Sequence, residues 1–401
     1  MRQFDFLIVG GGIVGLSISL SLRKRYPDAT IAILEKEKTL AQHASTRNSG
    51  VLHAGFYYSP DSLKAKLTVQ GNLLLSEFCQ ENAIPLLRCG KVVVAQQESQ
   101  VPALETLFDR GQKNGVQVEL VTPSELHRIE PLARTVEKAL WSPNTGVSDP
   151  KLVASAFEKQ ARAAKVEIFT DQKVEKIDDN YVTSSRGEKF GFAHLVNCSG
   201  LYADKIAKKM GFGNQYSMIP FIGLYYYAPS LRGSLKTHIY PTPDPRNPFL
   251  GVHFTKTSSD DVKVGPTAIP LLSREQYGFF EGLQISEFAE LLVNYPKFLF
   301  SKAHDSWSLI RTELPKISRT LLLRQARPLS DKINLEAFTK RGRPGIRAQL
   351  FDLDNRKLEM DFVVQGDKTS THVLNAVSPG WTTCISFANH VVSEISERIS
   401  E

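Results

Sequence analysis

The chain has 401 residues, 42% of them hydrophobic and 23% charged, with a formal net charge of +7. That hydrophobic share supplies more core than one domain uses, and the charged share is ordinary for a soluble globular protein. No apolar run reaches the roughly 18 residues that a spanning helix requires.

The remaining global features narrow the class further. Met1 is followed within a few residues by a strand, with no basic stretch leading into an apolar one and no Arg/Ser-rich presequence. The expectation is a cytoplasmic protein or one already processed. Cys79, Cys89, Cys198 and Cys384 form no C-x-x-C pair, so neither a zinc site nor a redox couple is signalled and no metal is expected. Scattered thiols fit a reducing compartment. Between Lys297 and Arg347 stand twelve Lys/Arg against four Asp/Glu, which accounts for the whole imbalance of charge. Such a stretch is a solvated basic face, a field that attracts an anionic substrate, or a contact with anionic lipid. No recognition motif accompanies it, so nucleic-acid binding is not expected.

In chain order, residues 4–9 (FDFLIV) read as a buried parallel strand. Glycines follow, then a helix from about Val14 to Arg25 and a strand from Thr30 to Leu34, which together make a right-handed crossover unit. Residues 81–144 mix strands such as KVVVA with a polar helix and prolines. Lys151–Lys165 has helical periodicity after the start signal Asp149-Pro150. VEIFT, the stretch around Val174–Ile177 and YVTSS read as strands. HLVNCSG (His194–Gly200) is an apolar strand ending in small residues, and LYADKIAKKMG is a helix stopped at Gly211. Residues 216–334 hold strand-like segments, LYYYA, HIYPTP, FLGVHFT and DVKVGPT, whose alternation predicts an antiparallel sheet. A Phe/Leu-rich helical stretch runs from Phe279 to Phe300. The last segment resumes strands (FVVQG, HVLNAVS) and ends with a helix from Thr382 to about Arg398. The pattern is interleaved: residues 1–80, 145–215 and 335–401 read as one α/β nucleotide-binding domain, and 81–144 and 216–334 as a second, substrate-binding domain.

The chemistry starts at Gly10, Gly12 and Gly15, a G-x-G-x-x-G that follows a strand and opens a helix. The first glycine allows the tight turn, the second admits a pyrophosphate close to the backbone, and the third lets helix pack on strand. The helix N-terminus, with Ile13 and Val14, then offers N–H groups and a favourable dipole to phosphate. Glu35 ends the second strand, where a carboxylate accepts from ribose hydroxyls and disfavours a 2′-phosphate; Lys36 follows it. The loop HASTRNSGVLHAGFYYSP (His43–Pro60) suits a segment lying along a cofactor, with Thr46, Asn48 and Ser49 as donors. His53, beside Tyr57 and Tyr58, is the side chain best suited to take a proton near neutral pH.

With these residues in view, the chain resembles the FAD-dependent D-amino-acid-oxidase-like superfamily, and within it the L-2-hydroxyglutarate dehydrogenases and oxidases. The likeness rests on VGGGIVGLS, LEKE, HASTRNSGVLHAGFYYSPDSLKAKL, CGKVVVA, NCSGLYAD, IYPTPDPRNPFLGVHFT, VGPTA and RPGIRAQ, and covers nearly the whole chain. It implies a Rossmann-type FAD-binding domain interleaved with an antiparallel-sheet substrate domain, and oxidation of L-2-hydroxyglutarate to 2-oxoglutarate. It places the substrate-carboxylate arginine on Arg347, after Gly345, and adds Tyr240 and His253 as shared site residues. Further cofactor contacts are expected at Val174, at Ser199 and Gly200, and at the last turn, Gly380, Trp381 and Thr382. That turn reads SPGWTTC where close relatives more often carry alanines. A covalent bond between His53 and the flavin is left open.

The residues agree with a dicarboxylate substrate, because arginine supplies a planar fork matched to a carboxylate. Tyr225, Tyr226, Tyr240 and His253 lie on the sheet expected to face the flavin. In the expected mechanism the C2–H points at flavin N5, and His53, otherwise His253, removes the hydroxyl proton. Arg347 and a tyrosine fix the geometry. Electrons then pass to a quinone or to oxygen, and the stretch at 279–300 with the basic residues after it suggests peripheral contact at the inner membrane surface. Two alternatives share the fold: a flavin amine oxidase of the glycine/sarcosine oxidase type, and a redox-silent flavin-binding assembly factor.

Overall fold

The computed structural model describes residues 1–244, 247–278, 281–301 and 305–400. The first apolar run becomes the strand Arg2–Val9, two residues longer than its hydrophobic stretch because Arg2 and Gln3 pair with Phe190 and Gly191. Leu7 and Ile8 are fully buried, since parallel neighbours flank the strand on both sides, Ile31–Leu34 and Lys189–Asn197. The helix between the first two strands runs Ile13–Arg25. Its last turn carries Arg23, Lys24 and Arg25, which suit the negative end of the helix dipole. The second strand starts at Ile31 rather than Thr30, because the Thr30 N–H and hydroxyl both donate to Asp5.

This first sheet has eight strands. Along its main path the order is Val174–Ile177, Tyr181–Ser184, Lys189–Asn197, Arg2–Val9, Ile31–Leu34 and Glu167–Phe169. Ser370–Asn375 joins the far end of Lys189–Asn197 in parallel and carries Val363–Gly366 at its own edge. One face packs on the helices Ile13–Arg25, Leu63–Glu81, Pro150–Ala163 and Cys384–Ser400, in a core that includes Leu16, Phe78, Phe157 and Phe387. The Pro150–Ala163 helix is capped by Asp149, which accepts from the Lys151 N–H at 2.8 Å.

A second eight-stranded sheet runs Lys340–Arg341, Tyr226–Tyr227, Val262–Gly265, His253–Lys256, His238–Pro241, Lys91–Val94, Ala139–Ser142 and Glu119–Val121. It is antiparallel except where Lys91–Val94 lies parallel to His238–Pro241. Those two strands are separated by a long passage through the first sheet, so no hairpin constrains their direction. A third, four-stranded sheet is built on the eight-residue pairing of Tyr216–Gly223 with Gly345–Asp352. It joins strands from the two sides of the division expected at residues 216–334, and it sets Arg347 opposite Phe221.

The helical stretch expected from Phe279 to Phe300 starts outside the described residues at 279–280; the helix itself spans Ile285–Leu299. Leu291 and Phe298 are buried, while Ile285 and Val293 face solvent. Among the described residues no helix is long and apolar enough to cross a membrane.

Candidate active site

The ends of the strands Arg2–Val9, Lys189–Asn197 and Gly345–Asp352 open on one cleft of about 610 Å³, within the size range of ligand pockets. Gly10 turns the chain at φ +112, and a Cβ there would lie 2.4 Å from the Cys198 carbonyl oxygen. A Cβ on Gly15 would lie 2.1 Å from the Gly10 carbonyl oxygen. Gly15 therefore brings helix onto strand from behind and does not line the cleft, whereas Gly10, Gly12, Ile13 and Val14 do. The N-cap residue, Gly12, has no side chain to cap this helix, and the Ile13 N–H donates instead to Ser45 Oγ at 2.9 Å.

Glu35 is buried at the cleft wall, its Oε2 accepting from the Gly11 N–H and its Oε1 from the Glu37 N–H, at 2.8 and 2.9 Å. Lys36 is held by Glu37, by Glu275 at 2.7 Å and by His43 at 3.0 Å. Its ammonium supplies the positive charge where Glu37, His43 and Glu275 converge. The expected donors of the following loop are largely spent inside it. Thr46 lies outside the cleft wall and its hydroxyl donates to the Ala41 carbonyl at 2.7 Å. Asn48 lines the cleft, yet its amide bridges Ala44 and Ser45 and accepts from Gly50. Ser49 also lines the cleft, and its hydroxyl accepts from the Val51 N–H at 3.3 Å.

Val174, Ser199 and Gly200 also line the cleft. A Cβ on Gly200 would meet nothing within 4 Å, so this turn leaves open space. Gly345 is required for close approach: a Cβ there would lie 2.0 Å from the Arg47 carbonyl oxygen. Gly380 is pressed in the same way, 2.1 Å from the Ala376 carbonyl oxygen, and Trp381 and Thr382 complete that turn at the cleft. The buried Nε1–H of Trp381 has no acceptor among the described residues.

His53 and Arg347, nearly three hundred residues apart in sequence, line this one cleft. The Thr382 hydroxyl accepts from the His53 backbone N–H at 3.1 Å. Burial, helped by Lys91, His253 and His238, holds the His53 imidazole well below its usual range, so the ring is neutral at physiological pH. Arg347 is half-buried beside Phe249, its guanidinium 5.2 Å from the ring centroid, and no carboxylate among the described residues pairs with it.

Tyr240 and His253 are not brought to the cleft wall. They stack on each other, ring centroids 3.7 Å apart and within electrostatic reach of Arg347, and His253 Nδ1 lies 2.8 Å from the Gly251 carbonyl. Burial pushes the His253 imidazole down to about 3. Tyr225 does line the cleft, its phenol pushed up to about 12 by burial. Two buried lysines escaped the sequence reading. Lys263 donates to the Ser49 carbonyl at 3.0 Å, and burial pulls it down to about 8. Lys91 lies 3.4 Å from His53 Nδ1, and burial pulls it down to about 7. The signal for both was a lone lysine inside a valine-rich strand, KVVV and VKVG.

Residues 5–393 match the family model described as FAD dependent oxidoreductase. The chain is 38% identical to an L-2-hydroxyglutarate dehydrogenase of Indibacter alkaliphilus, over 97% of this chain and 98% of that one. It is 37% identical to the mitochondrial L-2-hydroxyglutarate dehydrogenase of Caenorhabditis elegans, over 99% and 94%. The chain belongs to the L-2-hydroxyglutarate dehydrogenase family of FAD-dependent oxidoreductases.

Among solved structures, the L-α-glycerophosphate oxidase of Mycoplasma pneumoniae superposes with a TM-score of 0.79 at 20% identity, over 99% of this chain and 95% of that one. Glycine oxidase from Geobacillus kaustophilus gives 0.74, also at 20% identity and with coverage of 99% and 95%. Both likenesses carry the fold of this family. FAD is the cofactor, and the cradle fits it: Gly10 and Gly12 line the cleft where the first helix starts, Glu35 closes the second strand, and the Trp381 Nε1–H has no acceptor among the described residues.

Proposed function

We propose that this protein oxidises L-2-hydroxyglutarate to 2-oxoglutarate, with His53 as proton acceptor and Arg347 as carboxylate anchor. Near-full-length identity of 37–38% to two L-2-hydroxyglutarate dehydrogenases carries the reading. The cleft supports it with the neutral His53 imidazole and with two guanidinium groups, Arg47 and Arg347, that no carboxylate neutralises among the described residues; Arg47 is spent on the Gln42 and Pro344 carbonyls, which leaves Arg347 for the substrate.

FAD, when bound, supplies the acceptor for the hydride that leaves C2. The chain supplies the rest. Arg347 grips the carboxylate next to C2 with a planar fork, which fixes both position and rotation. His53 takes the hydroxyl proton as the hydride departs. Tyr225 adds a protonated phenol at the same wall, since burial keeps it un-ionised across the physiological range. The cofactor assignments at Gly10, Gly12, Ile13, Val14, Glu35, Ser199, Gly200, Gly380, Trp381 and Thr382 follow from their place on the cleft. Gly15 and Thr46 act behind it.

The test is anaerobic bleaching of the flavin. L-2-Hydroxyglutarate is expected to bleach it and the D isomer to leave it oxidised. Bleaching by glycine or sarcosine instead would move the protein to the amine oxidases. The electron acceptor is a quinone or oxygen. Ile285, Val293, Phe300 and Trp307 expose 86, 70, 65 and 49% of their surface, a surface suited to shallow contact with an anionic bilayer. Flotation with anionic vesicles is expected to carry the protein upward, and substitution of Ile285 and Val293 by Ser to abolish it; a protein left at the bottom in both forms would remove the membrane reading.

A further inference from the structure

Lys91 is fully buried at the start of the strand Lys91–Val94. Its Nζ lies 4.2 Å from the ring centroid of Tyr240, 5.2 Å from that of Tyr57 and 5.7 Å from that of Phe56. No carboxylate among the described residues pairs with it. The titratable groups around it are His53 and Tyr57 from the loop, Cys89 from its own strand end, His238 and Tyr240 from the neighbouring strand, and His253 from the strand beyond. A charged lysine in such a box is costly, and the hydrogen-bond partner its Nζ finds among the described residues is His53 Nδ1, at 3.4 Å. The other ring nitrogen, Nε2, has no protein partner among the described residues, and the ring lines the cleft.

This geometry matters because a neutral imidazole has one bare nitrogen, and its partner decides which. An ammonium can only donate. If it donates to Nδ1, the ring proton moves to Nε2 and the cleft faces an N–H. A free amine can accept from Nδ1–H, and Nε2 is then bare.

We propose that Lys91, as the free amine, accepts the Nδ1–H of His53 and thereby keeps Nε2 bare toward the cleft, so that Lys91 is a positioning residue for proton removal. The inference rests on the reading of His53 as proton acceptor given above. The substrate hydroxyl proton goes to Nε2, the C2 hydride departs with its electron pair to the flavin, and the C–O bond becomes the carbonyl. The resulting imidazolium shares its Nδ1 proton with the amine, so one proton enters and none is lost within the pair. Burial brings Lys91 down to about 7, so the free amine is available at working pH. Below that, the ammonium turns the histidine the wrong way. Lys91 and His53 titrate as a pair, and the acid limb of the rate profile belongs to both.

The test uses holoenzyme and two variants. Lys91→Met removes the acceptor at similar volume; Lys91→Gln restores an acceptor oxygen that does not titrate. Wild-type kcat/KM for L-2-hydroxyglutarate is expected to fall as pH drops through about 7. Lys91→Met should lose roughly 10²-fold in kcat and lose that limb, with the flavin spectrum retained. Lys91→Gln should recover part of the rate and still lack the limb. Independently of any substrate, ¹⁵N signals of substrate-free protein, assigned through His53→Gln, should place the His53 proton on Nδ1 at pH 9 and on Nε2 at pH 6. A proton on Nε2 at pH 9, or a Lys91→Met enzyme with unchanged rate and limb, overturns the proposal. If Lys91→Met fails to fold, the Gln variant and the wild-type spectra still decide it. Failure of L-2-hydroxyglutarate as substrate would leave the spectra readable, so the two readings fail separately.

Discussion

Burial does opposite things to the charged residues in and behind this cleft. Arg347 stays half-exposed and without a carboxylate partner among the described residues, ready for an anion, while Lys91 is enclosed and driven toward its neutral form. Arg347→Lys keeps the charge and removes the fork. It should cost about 1.5–3 kcal/mol of transition-state binding, a drop of roughly 10- to 10²-fold in kcat/KM, with the melting temperature unchanged; equal kinetics would refute the anchor. Lys91 makes a separate prediction about stability. Burial holds Lys91 at about 7 in the fold, below the 10.5 usual for lysine, so between those limits the unfolded chain binds the extra proton and stability rises with pH. Lys91→Met should therefore be more stable than wild type at pH 7. Denaturant titrations should show that advantage shrinking by about 1.4 kcal/mol per pH unit toward pH 10. A pH-independent difference would mean that Lys91 is already charged in the fold.

The elements that carry these residues explain what could be read in advance. Gly10, Glu35, His53 and Arg347 were legible as residues of one cleft because each sits at a strand end or in a loop with a distinctive local pattern. Lys91 and Lys263 were not, since alternation along a strand tells which face a side chain takes but not how deep that face lies. The same limit explains Tyr240 and His253, which stack on each other in the second sheet and do not line the cleft. Thr46 and Asn48 illustrate another limit, because polar loop side chains compete for their own backbone. At Gly345 the strand passes so close to Arg47 that a side chain has no room. Gly345→Ala should cost about 1–3 kcal/mol and release FAD on gel filtration; a variant that keeps its flavin would show that the loop yields. Arg274 is the other staple. It is fully buried against Asp204, with nitrogen–oxygen distances of 2.5 and 3.0 Å, and reaches Glu290 at 2.7 Å. Arg274→Met should destabilise by about 3–5 kcal/mol, because it strands the buried Asp204 carboxylate. A loss below 1 kcal/mol in urea titration would show that water reaches that carboxylate.

Across the whole molecule, the chain leaves and re-enters its first sheet, so the cleft is assembled from residues 9 to 382 and no contiguous segment contains the site. The basic stretch before Arg347 fits this design. Lys340, Arg341 and Arg343 are exposed on the backbone that leads into Gly345. Exposed charges of one sign next to a cleft raise the encounter rate of an oppositely charged substrate, and the gain scales with substrate charge. Salt shortens the reach of that field, to about 10 Å at 0.1 M and about 3 Å at 1 M. The expected result is that kcat/KM for the dianion L-2-hydroxyglutarate falls steeply with ionic strength. Any turnover of a monoanionic 2-hydroxy acid should fall about half as steeply on the logarithmic scale. Replacing Arg341 and Arg343 by Gln should flatten the dianion's dependence while leaving kcat in place, because neither side chain lines the cleft. Equal salt slopes for both charge classes would place the discrimination entirely at Arg347 and leave the basic stretch as a solvated face.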